Sequence, residues 1–166
     1  MGSNNGLNMF DWPIRVYYED TDSGGVVYHS NYLNFMERAR TEWLRALGFE
    51  QTQMKDDLNI IFVVHSMNIQ FKRPALFNDM LNVQSKVAKV GHGSIEFLQT
   101  IMRGQQVLIE ATIKVACVEA SVFKPVVIPA IIKDTIQNNT NQNNSQTKVI
   151  TPEIRTTKIR TKVESL

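Results

Sequence analysis

One helical stripe set among strand-like stretches limits what this 166-residue chain can build. Tyr32, Phe35, Met36, Ala39, Trp43 and Leu47 fall three or four apart, so one face of a helix that begins near Asn31 is apolar. Glu37, Arg38, Thr41, Glu42 and Arg45 take the opposite face, and Glu37 and Glu42 each precede an arginine, Arg40 and Arg45, at a spacing that gives weak surface pairing. Gly48 stands where a helix stop is expected. On either side the apolar period is two. Residues 13 to 20 read as a strand, with Ile14, Val16 and Tyr18 alternating with Arg15, Tyr17 and Glu19. After a polar linker around Lys55-Asp56-Asp57, strand patterning returns at about 61 to 72, 80 to 90, 94 to 103 and 106 to 119. Pro74 with Asn78-Asp79, then Gly91-His92-Gly93, then Gly104-Gln105 separate these stretches, and the short gaps favour antiparallel hairpins. The order predicts an α+β fold: a five-stranded antiparallel sheet that buries one face by curling around a central helix.

A chain of this length forms one core and buries roughly two-thirds of its unfolded surface. No apolar run approaches the length a membrane span needs, and the N-terminus has neither the basic start nor the apolar stretch of an export signal, so a cytoplasmic protein without a transmembrane segment is expected. The lone cysteine, Cys117, continues the alternation of Val107, Ile109, Ala111, Ile113 and Val115 and reads as a core residue rather than a reactive thiol. Residues 138 to 166 hold five basic and two acidic side chains, which accounts for the formal charge of +2 and leaves the body slightly acidic. With no basic stripe in that body, nucleic acid is not an expected partner. Ala130 to Ile136 reads as a short terminal helix or extended piece. From Asn138 to Thr147 there is no apolar side chain to offset the entropy of ordering. The domain is therefore expected at residues 1 to 137, with a low-complexity, disordered basic tail at 138 to 166.

The chemistry-bearing residues gather between the first strand and the helix. The chain lacks a nucleophile elbow, a dinucleotide fingerprint, a P-loop and any Cys or His spacing for a metal, so neither a metal nor a cofactor is expected. What remains is Glu19, Asp20 and Asp22, the glycine pair Gly24-Gly25, and a helix start a few residues on. Backbone N–H groups at a helix start lack partners and carry partial positive charge, so they can hold a carbonyl oxygen as it becomes an oxyanion. A carboxylate beside them can activate water or attack the carbonyl itself. An Asp-x-Asp before a glycine turn is also ordinary loop chemistry.

The stretch from Arg15 to Arg45, RVYYEDTDSGGVVYHSNYLNFMERARTEWLR, closely resembles the YbgC proteins, which are bacterial acyl-CoA thioesterases of the 4-hydroxybenzoyl-CoA thioesterase superfamily associated with the Tol–Pal envelope system. The likeness runs from about Trp12 to Ile136 and includes Phe62-Val63-Val64 and Lys124-Pro125. It implies a hotdog fold, a homodimer or a dimer-built tetramer with active sites between subunits, and hydrolysis of a short- to medium-chain or aromatic acyl-CoA, with acyl carrier protein and phospholipid-synthesis enzymes as further partners. In the family pattern the second aspartate is catalytic, which falls on Asp22, leaving Asp20 structural. The oxyanion donor falls near His29, whose ring is a second catalytic candidate. Tyr28, Gly93 and Ser94 are the candidate substrate contacts; Lys72 and Arg73 are weaker candidates for the CoA phosphates. His65, read as sharing a strand face with Val63, Met67, Ile69 and Phe71, is expected to be a core or interface histidine.

Three rival functions fit the same features. A hotdog hydratase or dehydratase would pair His29 with Asp22. An interaction protein of envelope or phospholipid synthesis would hydrolyse only weakly. An acyl-CoA-binding module would hold its ligand without turnover.

Overall fold

The computed structural model describes residues 9 to 145. Five long strands form one antiparallel sheet: β1 (Phe10–Arg15), β2 (Ile60–Phe71), β3 (Met80–Val90), β4 (Ser94–Arg103) and β5 (Gln106–Glu119), in the spatial order β1-β3-β4-β5-β2. A two-residue strand β6 (Lys124–Pro125) adds to β5 opposite Val118 and Glu119. The sheet holds α1 (Asn31–Ala46) against its inner face. α2 (Gln51–Leu58) packs on β2, and α3 (Ala130–Ser145) packs on β3. This is the α+β arrangement of strands around a helix expected from the sequence.

The differences from expectation lie at the joins. The first strand runs from Phe10 to Arg15, and Tyr18–Asp20 forms a single 3₁₀ turn where strand was expected. Pro13 is compatible with β1 because this strand is the edge of the sheet. The stretch read as a polar linker contains α2, whose buried Met54 docks it and whose end is set by Asn59 in the left-handed region (φ 57°). The expected break at residue 137 is also corrected: α3 continues through Ser145. Ile128, Ile132 and Ile136 are buried along one side and fix its first turns, after which each added residue brings a backbone hydrogen bond without a new nucleus. The remainder of the expected tail, from 146 on, lies outside the described residues.

The core reading of His65 is corrected as well. The β2–β5 register shifts between Val64 and Ser66, leaving His65 exposed at the irregularity with its Nδ1 3.4 Å from Ser66 Oγ. The shift also turns Met67, Ile69 and Phe71 to the face opposite Val63, because residues paired across two strands share a face: Met67 faces Ile113, and Val63 faces Ala116.

α1 is buried more completely than a two-sided stripe predicts. Ala39, Arg40, Thr41, Glu42, Trp43 and Leu44 are all buried, with the sheet beneath and α2 and α3 set over β2 and β3. Arg40 donates through Nη1 to Gln99 Oε1 (2.8 Å), and Gln99 Nε2 donates to Ser85 Oγ (2.8 Å) and to the Met36 carbonyl (3.1 Å). These three side chains tie α1 to β3 and β4 through a polar network inside an apolar core. Burial pushes the Arg40 guanidinium down to about 10, against the opposing pull of Glu37, so it is still charged at neutral pH.

Two predictions follow from this core. Arg40→Ala removes a buried charge and leaves Gln99 short of a donor, and urea unfolding is expected to show a loss of about 3 kcal/mol; a loss below about 0.5 kcal/mol would show that the network is not needed. Cys117 is fully buried, and burial pushes its thiol up to about 11. Native protein at pH 8 should therefore resist a thiol reagent that labels the urea-unfolded chain at once, with labelling rising only as the pH nears 11.

Candidate active site

The site is built where β1 gives way to α1. Asp20, 7% exposed, accepts the Tyr17 N–H on Oδ2 and the Asn31 side-chain amide on Oδ1, both at 2.8 Å, while its carbonyl accepts the Tyr28 N–H at 2.9 Å. One buried carboxylate thus joins the 3₁₀ turn, the loop and the first residue of α1. Asp20 is in the structural place expected of it. Asn31 was not foreseen, although an amide at a helix start following an acidic cluster is a readable capping signal.

From Asp22 the chain doubles back. The Asp22 N–H bonds the Val26 carbonyl, the Gly25 N–H bonds the Asp22 carbonyl, and Gly25 sits at φ +85°, where a side chain would be strained. Gly24 donates its N–H to Asp22 Oδ1 at 2.8 Å, and a Cβ there would lie 3.2 Å from that same oxygen. The glycine pair is what lets the backbone reach the carboxylate. Asp22 is exposed, and its Oδ2 takes no hydrogen bond among the described residues. The return of the turn is anchored by buried Val27, whose N–H bonds the Ala75 carbonyl at 2.9 Å.

The helix start follows at once. Tyr28, Asn31 and Leu33 have acceptors for their N–H groups, whereas those of His29, Ser30 and Tyr32 have none among the described residues. Ser30 is the N-cap and makes no side-chain cap bond. Three unpaired donors at the positive end of a 16-residue helix form a site for a developing oxyanion. The rings of Tyr28 and His29 lie 4.5 Å apart, both exposed, and His29 makes no hydrogen bond to Asp22. Beneath them Tyr32 is buried, and its hydroxyl accepts the Ala75 N–H at 2.9 Å. Burial raises the Tyr32 pKa; the nearby charge of Asp22 adds to the rise, while the Ala75 bond opposes it.

Aromatic side chains surround this rim. Tyr18 stacks on Phe77 with centroids 4.1 Å apart, and Phe71 meets Tyr32 at 5.9 Å. An open groove of about 550 Å³ lies alongside, walled by Arg15, Tyr17, Tyr18, Glu19, Phe77 and Asn78, without Asp22. Phe71 and Phe77 were missed as site residues because both are distant in sequence and reach the rim only through the connection between β2 and β3.

Asp22, Tyr28 and His29 are brought together; Gly93 and Ser94 are not. The latter two lie in the β3–β4 turn, whereas Asp22 lies by the start of β3, where Arg15 pairs with Met80. An eleven-residue strand separates the two ends, roughly 30 Å. Gly93 serves packing within its own chain: its carbonyl accepts the Cys117 N–H, and a Cβ would come 3.1 Å from the Val126 carbonyl oxygen. Lys72 and Arg73 stand at the Asp22 end, exposed, with Lys72 3.7 Å from Glu110.

Comparison with known proteins gives the family. A family model described as the thioesterase superfamily matches residues 24–113. The acyl-CoA thioesterase YbgC of Haemophilus influenzae is 47% identical over 76% of this chain and 93% of its own length. The acyl-CoA thioester hydrolase YbgC of Escherichia coli is 43% identical over 73% of this chain and 90% of its own. Among solved structures, a probable thioesterase of Bartonella henselae superposes with a TM-score of 0.70 at 35% identity, covering 73% of this chain and 99% of that one.

Asp20→Ala strands two donors at the base of the site. Chemical denaturation is expected to register a loss of about 2 kcal/mol; unchanged stability would show that the turn is held elsewhere.

Proposed function

The chain belongs to the thioesterase superfamily and is a YbgC-like acyl-CoA thioesterase of the hotdog fold, and from that premise we propose that it cleaves short- to medium-chain or aromatic acyl-CoA, and acyl carrier protein thioesters, through Asp22. The observation that carries the reading is the pairing of a carboxylate with one open oxygen and a helix start with unpaired N–H groups at His29, Ser30 and Tyr32. The carbonyl oxygen of the thioester points at those donors. Asp22 either takes a proton from water as the water attacks the carbonyl carbon, or attacks that carbon to give an anhydride that water opens. In both routes the carbon–sulfur bond breaks, the electron pair leaves on sulfur, and a free acid and the CoA thiol result. Thiolate is a good leaving group, so no strong acid is needed at the sulfur. The hydratase reading loses ground because the His29 ring lies against Tyr28 rather than on Asp22.

We further propose a homodimer or dimer-built tetramer acting in the cytoplasm. β2 ends the strand order, and its twelve residues present an outer edge that no described strand covers. β2 begins at the Gly93–Ser94 end of the sheet and finishes at the Asp22 end, as its pairing of Ile60 with Glu119 and Phe71 with Ile109 requires. A second copy paired antiparallel on this edge would set its Gly93, Ser94 end toward the Asp22 end of the first. This supports a substrate contact for those residues across the interface.

Thiol release from a panel of acyl-CoAs, followed with a chromogenic thiol reagent, tests the assignment. Asp22→Asn should lower kcat about a hundredfold with circular dichroism unchanged. A rate within about threefold of the parent would remove Asp22 from the chemistry.

A further inference from the structure

The inner face of the sheet is sealed along β4 and β5 and the first half of β3, half-buried at Phe10, Trp12 and Val87, and most open along β2. Leu81 and Val83 of β3, Ile95, Phe97 and Ile101 of β4, and Ile109, Ile113, Val115 and Cys117 of β5 are all at 0–1% exposure under α1. β2 begins the same way, with Ile60 and Phe62 buried. From Val64 onward it does not. Val64 is 42% exposed and Phe71 53%, and Met67 and Ile69 are half-buried. Yet their cross-strand partners are Val115, Ile113, Ala111 and Ile109, all buried inner-face residues, so the four side chains stand on the inner face too. Ser66, Asn68 and Gln70 take the outer face. The result is an apolar row, roughly 20 Å long, beside α1 that the described residues leave partly exposed.

The row ends at the chemistry. Phe71 meets Tyr32 in the first turn of α1, next to the unpaired N–H groups. An acyl group whose carbonyl is held at that helix start continues directly onto Phe71. Pairing of a second copy along the β2 edge would use backbone groups in the plane of the sheet, whereas this row projects perpendicular to it, so such pairing leaves the row free while screening it from water.

We propose that the row Phe71, Ile69, Met67, Val64 is the wall along which a linear aliphatic acyl chain lies, with Met67 setting the length accepted. This rests on the thioesterase reading above and narrows its substrate class from aromatic or aliphatic to chains long enough to reach Met67. The unbranched, flexible Met67 side chain suits a boundary that yields to chains of more than one length.

The test compares kcat/KM for propionyl-, octanoyl- and dodecanoyl-CoA in the parent, Met67→Trp and Met67→Ala, with oligomeric state followed by light scattering. Met67→Trp should lower the dodecanoyl-to-propionyl ratio about tenfold or more, and Met67→Ala should raise it. Should the tryptophan variant fail to fold, the alanine variant decides by the direction of its ratio. An unmoved ratio in the folded variants overturns the proposal. An unmoved ratio with dissociation of the oligomer overturns it in favour of a second copy seated on the row. A parent that hydrolyses none of the three, nor any other thioester, defeats the underlying thioesterase reading instead.

Discussion

From Ala39 to Leu44 every side chain of α1 is buried, while Asn31, Leu33 and Asn34 in its first turn are not. No helix can satisfy its first N–H groups from its own body, and none of the described residues accepts those of His29, Ser30 and Tyr32. Three unpaired donors therefore point out of the fold at one place, backed by the dipole of sixteen residues. The Arg40–Gln99–Ser85 network bears on the same end, because it fixes how far α1 slides along the sheet and hence where those donors stand.

The two aspartates of the motif divide the remaining work by burial. Asp20 is enclosed, and both of its oxygens accept hydrogen bonds from groups that define the turn. Asp22, two residues on, is exposed and commits only one oxygen, to Gly24. Identical chemistry is thus spent on a clamp in one position and left exposed with one open oxygen in the other. The glycine at φ +85° makes the difference, since it reverses the chain just after Asp22 and returns it to the helix start.

A single protomer leaves the site open along β2. No described strand covers the outer edge of β2, and the inner-face row from Val64 to Phe71 is exposed or half-buried where the neighbouring β5 is sealed. Both features lie on the same strand: across the register shift at His65, Met67, Ile69 and Phe71 keep the inner face of Ile60 and Phe62 but are less buried than they are.

Periodicity alone determined the order of the five long strands and α1, the helix stripe, the burial of Cys117 and the hairpin breaks, because each depends on side chains close in sequence, but it passed over α2. The motif likewise placed Asp22, Asp20 and the helix start, all within a dozen residues. Tertiary structure decided the rest. Arg40 was read as a surface residue because helical spacing shows one buried face, and only packing on β3 and β4 reveals a second. The reversal of β2 at His65 was hidden because a register shift leaves no mark on period-two alternation until its partner strand is known. Phe71 joins Tyr32 from 39 positions away in sequence, a contact set by the curl of the whole sheet. The extension of α3 over asparagine and glutamine had no apolar pattern to announce it, since its order begins with Ile132 and Ile136 docked against the sheet and is carried forward by helix propagation.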